Sequence, residues 1–576
     1  MPDVKTDGLE PSLEATQAMI QVAQGLRPAD VYIANGQVVN VYSGEVLSAN
    51  IAVCGERIAY VGTQDRMVGE TTRVIDASGL YLVPGYIDAH WHSDLVYMPQ
   101  RFMAKALPTG LTAGFSDSFY LSALFEAEDF LRVVDDLSTL PLKFFTAVRA
   151  ESQAYPMLDE PELYDPETLG RILDHPRVLG LTEVSCWLLA LDADPLLLQK
   201  FHAARTRGKK VEGHTSGASY EYLNALVCAG YTDCHEPITA QQVLERLRLG
   251  LWVLLRQGSI RKDMDELARA VTEHHAPTGR LMLTPDSLYA MDMVELGYMD
   301  YTLKEAIRSG LDPVTAIQMA TINPATYLGL DGYIGGIAPR RAADILFVRD
   351  LREPTPERVM ANGRVVAEKG ELLEEFPVVR FPEHARDRCQ ETLRNFGRIG
   401  PEIFRIPADG SEIDFPVIEM QNLVINKRVD YRLPVVDGHI QCDPARDVLK
   451  VSLFDGRGGR ITNAFIAGYG ADMGALASSN NVLREVMVVG SNDDDMALAC
   501  NRVLELGGAM VMVDNGKIEF EMPLPVVGFL SSESVDGIAR RMEEMTAFIR
   551  KRNFRYSDPH IIMDFLCMAT LPTLRL

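Results

Sequence analysis

Positive charge is scarce along this chain. Its 576 residues carry 56 lysines and arginines against 80 aspartates and glutamates, a formal net charge of −24 at pH 7. Nucleic acid and anionic membranes are bound through clustered Lys and Arg and the counterions they release, so the charge balance argues against both kinds of partner. Long apolar runs are missing too. No stretch of about 18 uninterrupted apolar residues occurs, which argues against a membrane-spanning helix. The opening residues, MPDVKTDGLEPSLE, lack the basic segment and following apolar stretch of a secretory leader. Paired cysteines are absent as well: the eight (Cys54, Cys186, Cys228, Cys234, Cys389, Cys442, Cys500, Cys567) stand singly, with no CxxC. That usage fits a reducing compartment, and a cytoplasmic enzyme with a small neutral or cationic substrate is the expectation.

What is present belongs to a globular protein. The apolar share is 47% and the charged share 24%, close to ordinary averages. The length exceeds what one core supports, so at least two domains are expected. Residues 11–26 have helical spacing, with Pro11 and Glu14 at the start and Gly25 near the end. From Asp30 to Val74, short Val- and Ile-rich runs alternate with Asn-Gly, Ser-Gly and Gly-Glu turns, the pattern of β-hairpins. Beyond Tyr81 the rhythm changes. Eight short apolar runs finish in polar residues and are separated by helical stretches: YLVPGYIDAHWH, TAGFSDS, KFFTAVRAES, VLGLTEV, KKVEGHT, YTDCHE, LWVLLRQGS and RLMLTPDS. Eight parallel strands close a barrel, so a TIM-like (β/α)8 domain is expected over residues 80–332. Strands around Asn362-Gly363 then echo the amino-terminal hairpins, which predicts a β-sandwich domain split between residues 1–79 and 333–375. Residues 376–414 read as a connector, and residues 415–576 as an α+β domain in which VMVVGSNDDDMALACNRVLELGGAMVMVDNGKIEFEMPLP alternates strand, acidic turn, helix and hairpin.

A barrel places its chemistry at the carboxyl ends of its strands. Here those ends are rich in metal-ligand types: His90 and His92 on the first, Glu183 on the fourth, His214 on the fifth, His235-Glu236 on the sixth and Asp286 on the eighth. Residues two apart on a strand face the same side, so His90 and His92 can turn to one ion. Each residue alone has an ordinary reading: His214 as a turn residue, Glu183 as a solvent-facing strand end, Asp286 as a helix cap. Together those readings require several independent coincidences. The other histidines (His175, His202, His274, His275, His384, His439 and His560) sit in helical, loop or connector contexts and are assigned no catalytic role.

The chain resembles the adenine deaminase family of the amidohydrolase superfamily. The likeness is carried by PADVYIANGQVVNVYSGEV, VPGYIDAHWH, GLTEV, EGHTSG, CHE, RQGS, MATINPATYLGL and GGIAP, and most specifically by VVGSNDDDMALA and MPLPVVGFLSSE near the carboxyl end. The resemblance implies a binuclear centre of two divalent ions, Mn, Fe or Zn. His90 and His92 would hold one, His214 and His235 the other, with Glu183 between them and Asp286 joining the first and serving as base. It also implies a homo-oligomer, a dimer or larger. Water activated between the ions would attack an aminated ring carbon, C6 in adenine, and release ammonia. Glu236 is the candidate for a ring nitrogen and Arg256 for orienting carboxylates or substrate; Asp94, Asp117 and Phe119 are further expected substrate contacts.

Several polar motifs of the family are replaced. Ile-Glu-Ser-Ser becomes Ser93-Asp94-Leu95-Val96, and Asp-Pro-His-Glu becomes Asp117-Ser118-Phe119-Tyr120. Asp-Asp-Arg becomes Pro285-Asp286-Ser287, and a His-Asp-Ser-His-Asn run gives way to NNVLRE at 480–485. Polar pockets discriminate strongly, so swapping these side chains is the expected route to a different substrate. The resemblance implies adenine or a related aminated N-heterocycle, and the changes favour a heterocycle other than adenine, or a cyclic amide or lactam as the alternative. A non-catalytic scaffold has no physical need for six converging ligands.

Overall fold

Pro84 and Gly85 break the first apolar run of the barrel into two strands that belong to different sheets. Tyr81–Pro84 pairs with Val31–Asn40 and Ile345–Asp350, whereas Tyr86–Trp91 opens the barrel. Pro84 has no N–H to give a ladder, and a Cβ at Gly85 would lie 2.0 Å from Thr112 Oγ1, so only glycine passes there. The sequence pattern reads this run as one strand; the break is local and steric. A computed structural model shows these elements and describes residues 9–151, 164–382, 388–470, 472–568 and 574–576. His384 and part of the expected connector lie outside the described residues.

The small β-domain is one sheet of nine strands drawn from both sides of the barrel in sequence, five from Val31–Asn40 to Tyr81–Pro84 and four from Ile345–Asp350 to Glu371–Leu372. Asp344 ties its halves to the barrel. Its buried carboxylate accepts from Lys143 Nζ at 2.7 Å and from Asn362 N at 2.9 Å, and its carbonyl accepts from Gly85 N at 3.0 Å. The amino-terminal helix Leu13–Gln24 is capped by Ser12 and ended by Gly25, whose φ of 74° is left-handed. It buries Met19 and Val22 on this sheet beside Tyr32, Ala52 and Ala59.

The eight runs form the barrel strands β1 (Tyr86–Trp91), β2 (Leu111–Ser116), β3 (Lys143–Val148), β4 (Val178–Val184), β5 (Lys210–Gly213), β6 (Asp233–Cys234), β7 (Trp252–Arg256) and β8 (Leu281–Thr284). β1 to β5 form one parallel arc and β6 to β8 another. The arcs meet on one side where Trp91 bridges Asp286 in parallel and Thr284 Oγ1 donates to the His90 carbonyl at 2.6 Å. On the other side Thr232 N donates to Val211 O at 3.0 Å. This closure brings the end of β1 against the end of β8, so His90 and Asp286 face a common centre.

The carboxyl-terminal part holds a second nine-stranded sheet. The acidic run NDDD starts its helix Asp493–Glu505: Asn492 accepts from the amides of Asp494 and Asp495, and the acids sit at the positive end of the helix. That helix packs Met496, Cys500 and Val503 against Ala475, Val488 and Val511. Within the expected connector, helix Arg388–Phe396 and the turn Pro401–Phe404 add Cys389, Ile399 and Phe404 to the same core. Helices Val535–Arg550 and Pro559–Leu566 lie at the barrel mouth. Ser531 N donates to Val96 O at 2.7 Å, and Lys105 pairs with Asp536 at 2.7 Å. No described helix is long and apolar enough to cross a membrane.

Candidate metal centre and pocket

Two carboxylate oxygens organise the barrel mouth. Glu183 Oε2 lies 2.9 Å from His214 Nδ1, 3.2 Å from His235 Nε2 and 3.9 Å from His90 Nε2. Asp286 Oδ1 lies 3.1 Å from His92 Nε2 and 3.5 Å from His90 Nε2. Among the described residues, His90, His92 and Glu183 offer ligand atoms to one point, Glu183, His214 and His235 to a second, and His90, His235 and Asp286 to a third that overlaps both. All six side chains are buried. His90 and His235 stack at 4.0 Å between ring centres.

Local structure aims each group. β1 ends at Trp91, which turns away from the mouth into a packed layer with Phe102 and Phe144 and approaches Gly114 so closely that a Cβ there would lie 2.7 Å from its ring. Its neighbours His90 and His92 face the centre. Asp286 adopts a left-handed φ of 61°, held by Thr284 Oγ1, which accepts from Asp286 N at 2.8 Å. Strain of this kind in a non-glycine residue is retained where the surroundings over-determine it. Arg256, at the end of β7, clamps two carboxylates: its Nη1 lies 2.5 Å from Asp286 Oδ2 and 2.6 Å from Glu236 Oε1.

The electrostatics favour positive charge at this centre. Burial pushes the Asp286 and Glu236 carboxyls up, but Arg256 beside them outweighs it, and both are held well below the ordinary carboxylate range. Glu183 is lowered too, because His214 and His235 overcome the cost of its burial. Burial would depress His92, yet the Asp286 hydrogen bond and charge raise it to about 9. His235 goes the other way, to about 4, through burial and the nearby His90. A nest of ionised acids takes either protons on its imidazoles or cations in their place.

The donor set fits divalent ions. His90 Nε2, His214 Nε2 and both ring nitrogens of His235 are buried without a hydrogen-bond partner, an arrangement that costs free energy unless something else engages some of them. His90 Nδ1 faces Glu212 Oε1 at 3.3 Å, which turns Nε2 to the centre. Glu212 is a residue that the strand-end census passes over, although it precedes His214 by two and shares its face of β5.

The pocket above the centre has two lobes. One is walled by Glu236, Arg256, Ile260 and Arg261 of the barrel and by Val424 and Phe565. The other is walled by Leu95, Phe119, Tyr120 and Ser287 and by Val482, Asp564, Phe565 and Met568 of the carboxyl-terminal domain. Each of the four stretches where the chain departs from the family text contributes a residue to this second lobe: Leu95, Phe119 with Tyr120, Ser287 and Val482. Arg149 lies over the Phe119 ring at 4.1 Å.

The expected substrate contacts separate. Phe119 and Arg256 line the pocket. Asp94 does not: it accepts from Leu121 N at 2.8 Å and so holds the start of helix Phe119–Leu124. Asp117 accepts from Glu183 N at 2.8 Å and lies with His90 and Glu212 beneath the centre. His560, outside the pocket lining, braces the roof, with its Nε2 2.5 Å from Asn480 Oδ1. Asp564 is the acid that sequence spacing misses; its signal is one carboxylate inside the apolar run HIIMDFLCM.

A barrel with ligand side chains on its strand ends and a split β-domain beside it defines an amidohydrolase, a hydrolase acting on C–N bonds with divalent metal. An amidohydrolase family model matches residues 192–366, and an adenine deaminase C-terminal domain model matches residues 423–576. The chain is 35% identical to adenine deaminase of Moorella thermoacetica, over 98% of this chain and 96% of that one. It is 33% identical to adenine deaminase of Cenarchaeum symbiosum, over 99% and 93%, and 32% identical to adenine deaminase 3 of Rhizobium meliloti, over 99% and 97%. The chain belongs to the adenine deaminase family. Among solved structures, beta-aspartyl dipeptidase of Fervidobacterium islandicum AW-1 is similar over 60% of this chain and 98% of its own, at 17% identity and a TM-score of 0.46.

Proposed function

We propose that this protein hydrolytically deaminates adenine or a closely related aminated N-heterocycle, using two divalent ions. The observation that carries the reading is the position of Glu183 Oε2, within reach of three imidazoles at once, with Asp286 Oδ1 beside it on two. His90, His92 and Asp286 would hold one ion and His214 and His235 the other, with Glu183 shared. When bound, such ions acidify water toward neutrality and polarise the bond to be cleaved. The mixed imidazole and carboxylate donors suit Mn, Fe or Zn.

The chain's own groups then divide the proton work. Asp286, ionised beside Arg256, accepts one proton from the attacking water and delivers it to the departing amino nitrogen, while the second water proton passes to the adjacent ring nitrogen, so that ring N=C–NH2 and water become ring HN–C=O and ammonia. His235, neutral, holds its place without donating. Glu236, ionised by the same arginine, accepts a hydrogen bond from the ring N–H that forms beside the attacked carbon and fixes that edge of the heterocycle. Arg256 keeps both carboxylates aimed and charged in a site walled in part by Phe565 and Met568. Incubation of the purified protein with adenine, other aminopurines and cyclic amides, read for ammonia and for product mass, tests the reading. Adenine conversion to hypoxanthine with one ammonia released is the expected result; ring opening of a cyclic amide without ammonia would overturn it.

A further inference from the structure

The lobe roofed by helix Pro559–Leu566 holds a carboxylate that the chemistry above does not use. Asp564 is 3% exposed and lines this lobe together with His92, Leu95 and Phe119. Its Oδ2 accepts from Tyr289 Oη at 2.7 Å, and its Oδ1 accepts from Tyr120 Oη at the longer distance of 3.5 Å. A carboxylate offers about four lone-pair sites, so Asp564 keeps acceptor capacity beyond these two hydroxyls. The wall around it is otherwise mostly apolar.

The helix that carries Asp564 is fixed rather than loosely laid on the mouth. Asn480 donates to Leu95 O and to Phe529 O, both at 2.8 Å, and its Oδ1 lies 2.5 Å from His560 Nε2 on the same helix. Val482 N reaches Asp564 O at 3.4 Å. One brace therefore locks the β1 loop, the 480–485 stretch and the roof helix into a single arrangement with Asp564 inside it. A flat ring whose reacting carbon lies at the metal end and whose face meets Phe119 would carry its far edge toward this acid.

We propose that Asp564 is a specificity-determining residue that accepts a hydrogen bond from an N–H on the edge of the heterocycle remote from the attacked carbon. The substrate class is thereby narrowed to aminated N-heterocycles that carry such a donor, free bases rather than ring-N-substituted ones. The proposal rests on the deamination reading for its orientation of the ring. Adenine meets the requirement through its imidazole N–H; 7-methyl- and 9-methyladenine do not.

The test uses the metal-loaded full chain and compares wild type with Asp564→Asn on adenine, 7-methyladenine and 9-methyladenine, by turnover and by calorimetric binding. Asparagine keeps the shape but turns an N–H2 toward one of the acid's partners. Adenine should lose about 30-fold in kcat/KM through KM, and a similar factor in affinity. The two methylated bases should change by less than about 3-fold, so that discrimination collapses. Tyr289→Phe, which removes a neighbour's hydroxyl and leaves the carboxylate, should keep the wild-type preference. An equal loss on all three bases, or unchanged adenine affinity in Asp564→Asn, overturns the role of Asp564. Absence of ammonia from wild type with normal adenine binding overturns the deamination reading instead, and binding alone then decides the role of Asp564.

Discussion

The two walls of the pocket are built on different terms. The barrel wall sets its ligands on strand ends whose backbones are tied by parallel ladders and by the Trp91–Asp286 bridge. The carboxyl-terminal wall is a short helix held over the mouth by a few side chains, Asn480 and His560 foremost. The first carries groups that must be aimed within tenths of an ångström. The second carries mostly apolar contacts and one acid. Chemistry sits where the scaffold is most rigid, and selectivity sits where a docked element can change without disturbing it.

The sharpest way to break this comparison is to remove a ligand from the rigid wall. His90→Ala should lower both metal content and turnover, the latter by about three orders of magnitude or more; near-normal turnover with reduced metal would mean that the centre is not catalytic. Asp286→Asn tests the base itself. It should keep at least one ion, because His90 and His92 remain, yet lose about 100-fold to 10000-fold in kcat. Unchanged kcat would remove Asp286 from proton transfer.

A smaller effect is expected beneath the centre. Glu212→Gln weakens the partner of His90 Nδ1 without touching a ligand atom, and should reduce metal affinity about 10-fold in competition with a chelator. An identical affinity would show that the contact at 3.3 Å does not orient His90.

The mildest effect belongs to the docked wall. Burial pushes Asp558, which caps helix Pro559–Leu566 through His560 N, up to about 7, against the pull of that hydrogen bond. The folded value lies above the unfolded value of about 3.9. The folded protein therefore holds the extra proton between those values, and the stability from this group falls as pH rises from about 4 through 7. Asp558→Asn keeps a capping oxygen and cannot ionise. Relative to wild type it should gain on the order of 2 kcal/mol between pH 4 and pH 8 in urea unfolding. Parallel pH profiles would contradict the assignment.

The same contrast explains what was legible in the sequence. The eight barrel strands and the convergence of the six candidate ligands could be read because both obey short-range rules: an apolar run ending in a polar residue, and side chains two apart on one face. The division at Gly85 was not read, since its cause is the approach of Thr112 from the next strand. Asp94 looked like a substrate contact because a polar side chain after β1 has the same appearance whether it meets a ligand or, as here, the Leu121 amide. Asp564 was invisible for a longer-range reason. Its partner Tyr120 is 444 positions away, and only the folded domain arrangement brings the acid into one lobe with His92 and Glu183. The replaced motifs looked scattered in sequence and meet in one lobe.

The most direct test of the central claim is the metal content of protein purified without chelator, measured by inductively coupled plasma mass spectrometry. The geometry around Glu183 and Asp286 predicts about two divalent ions per chain. A value near zero, in protein that still deaminates its substrate, would contradict the account.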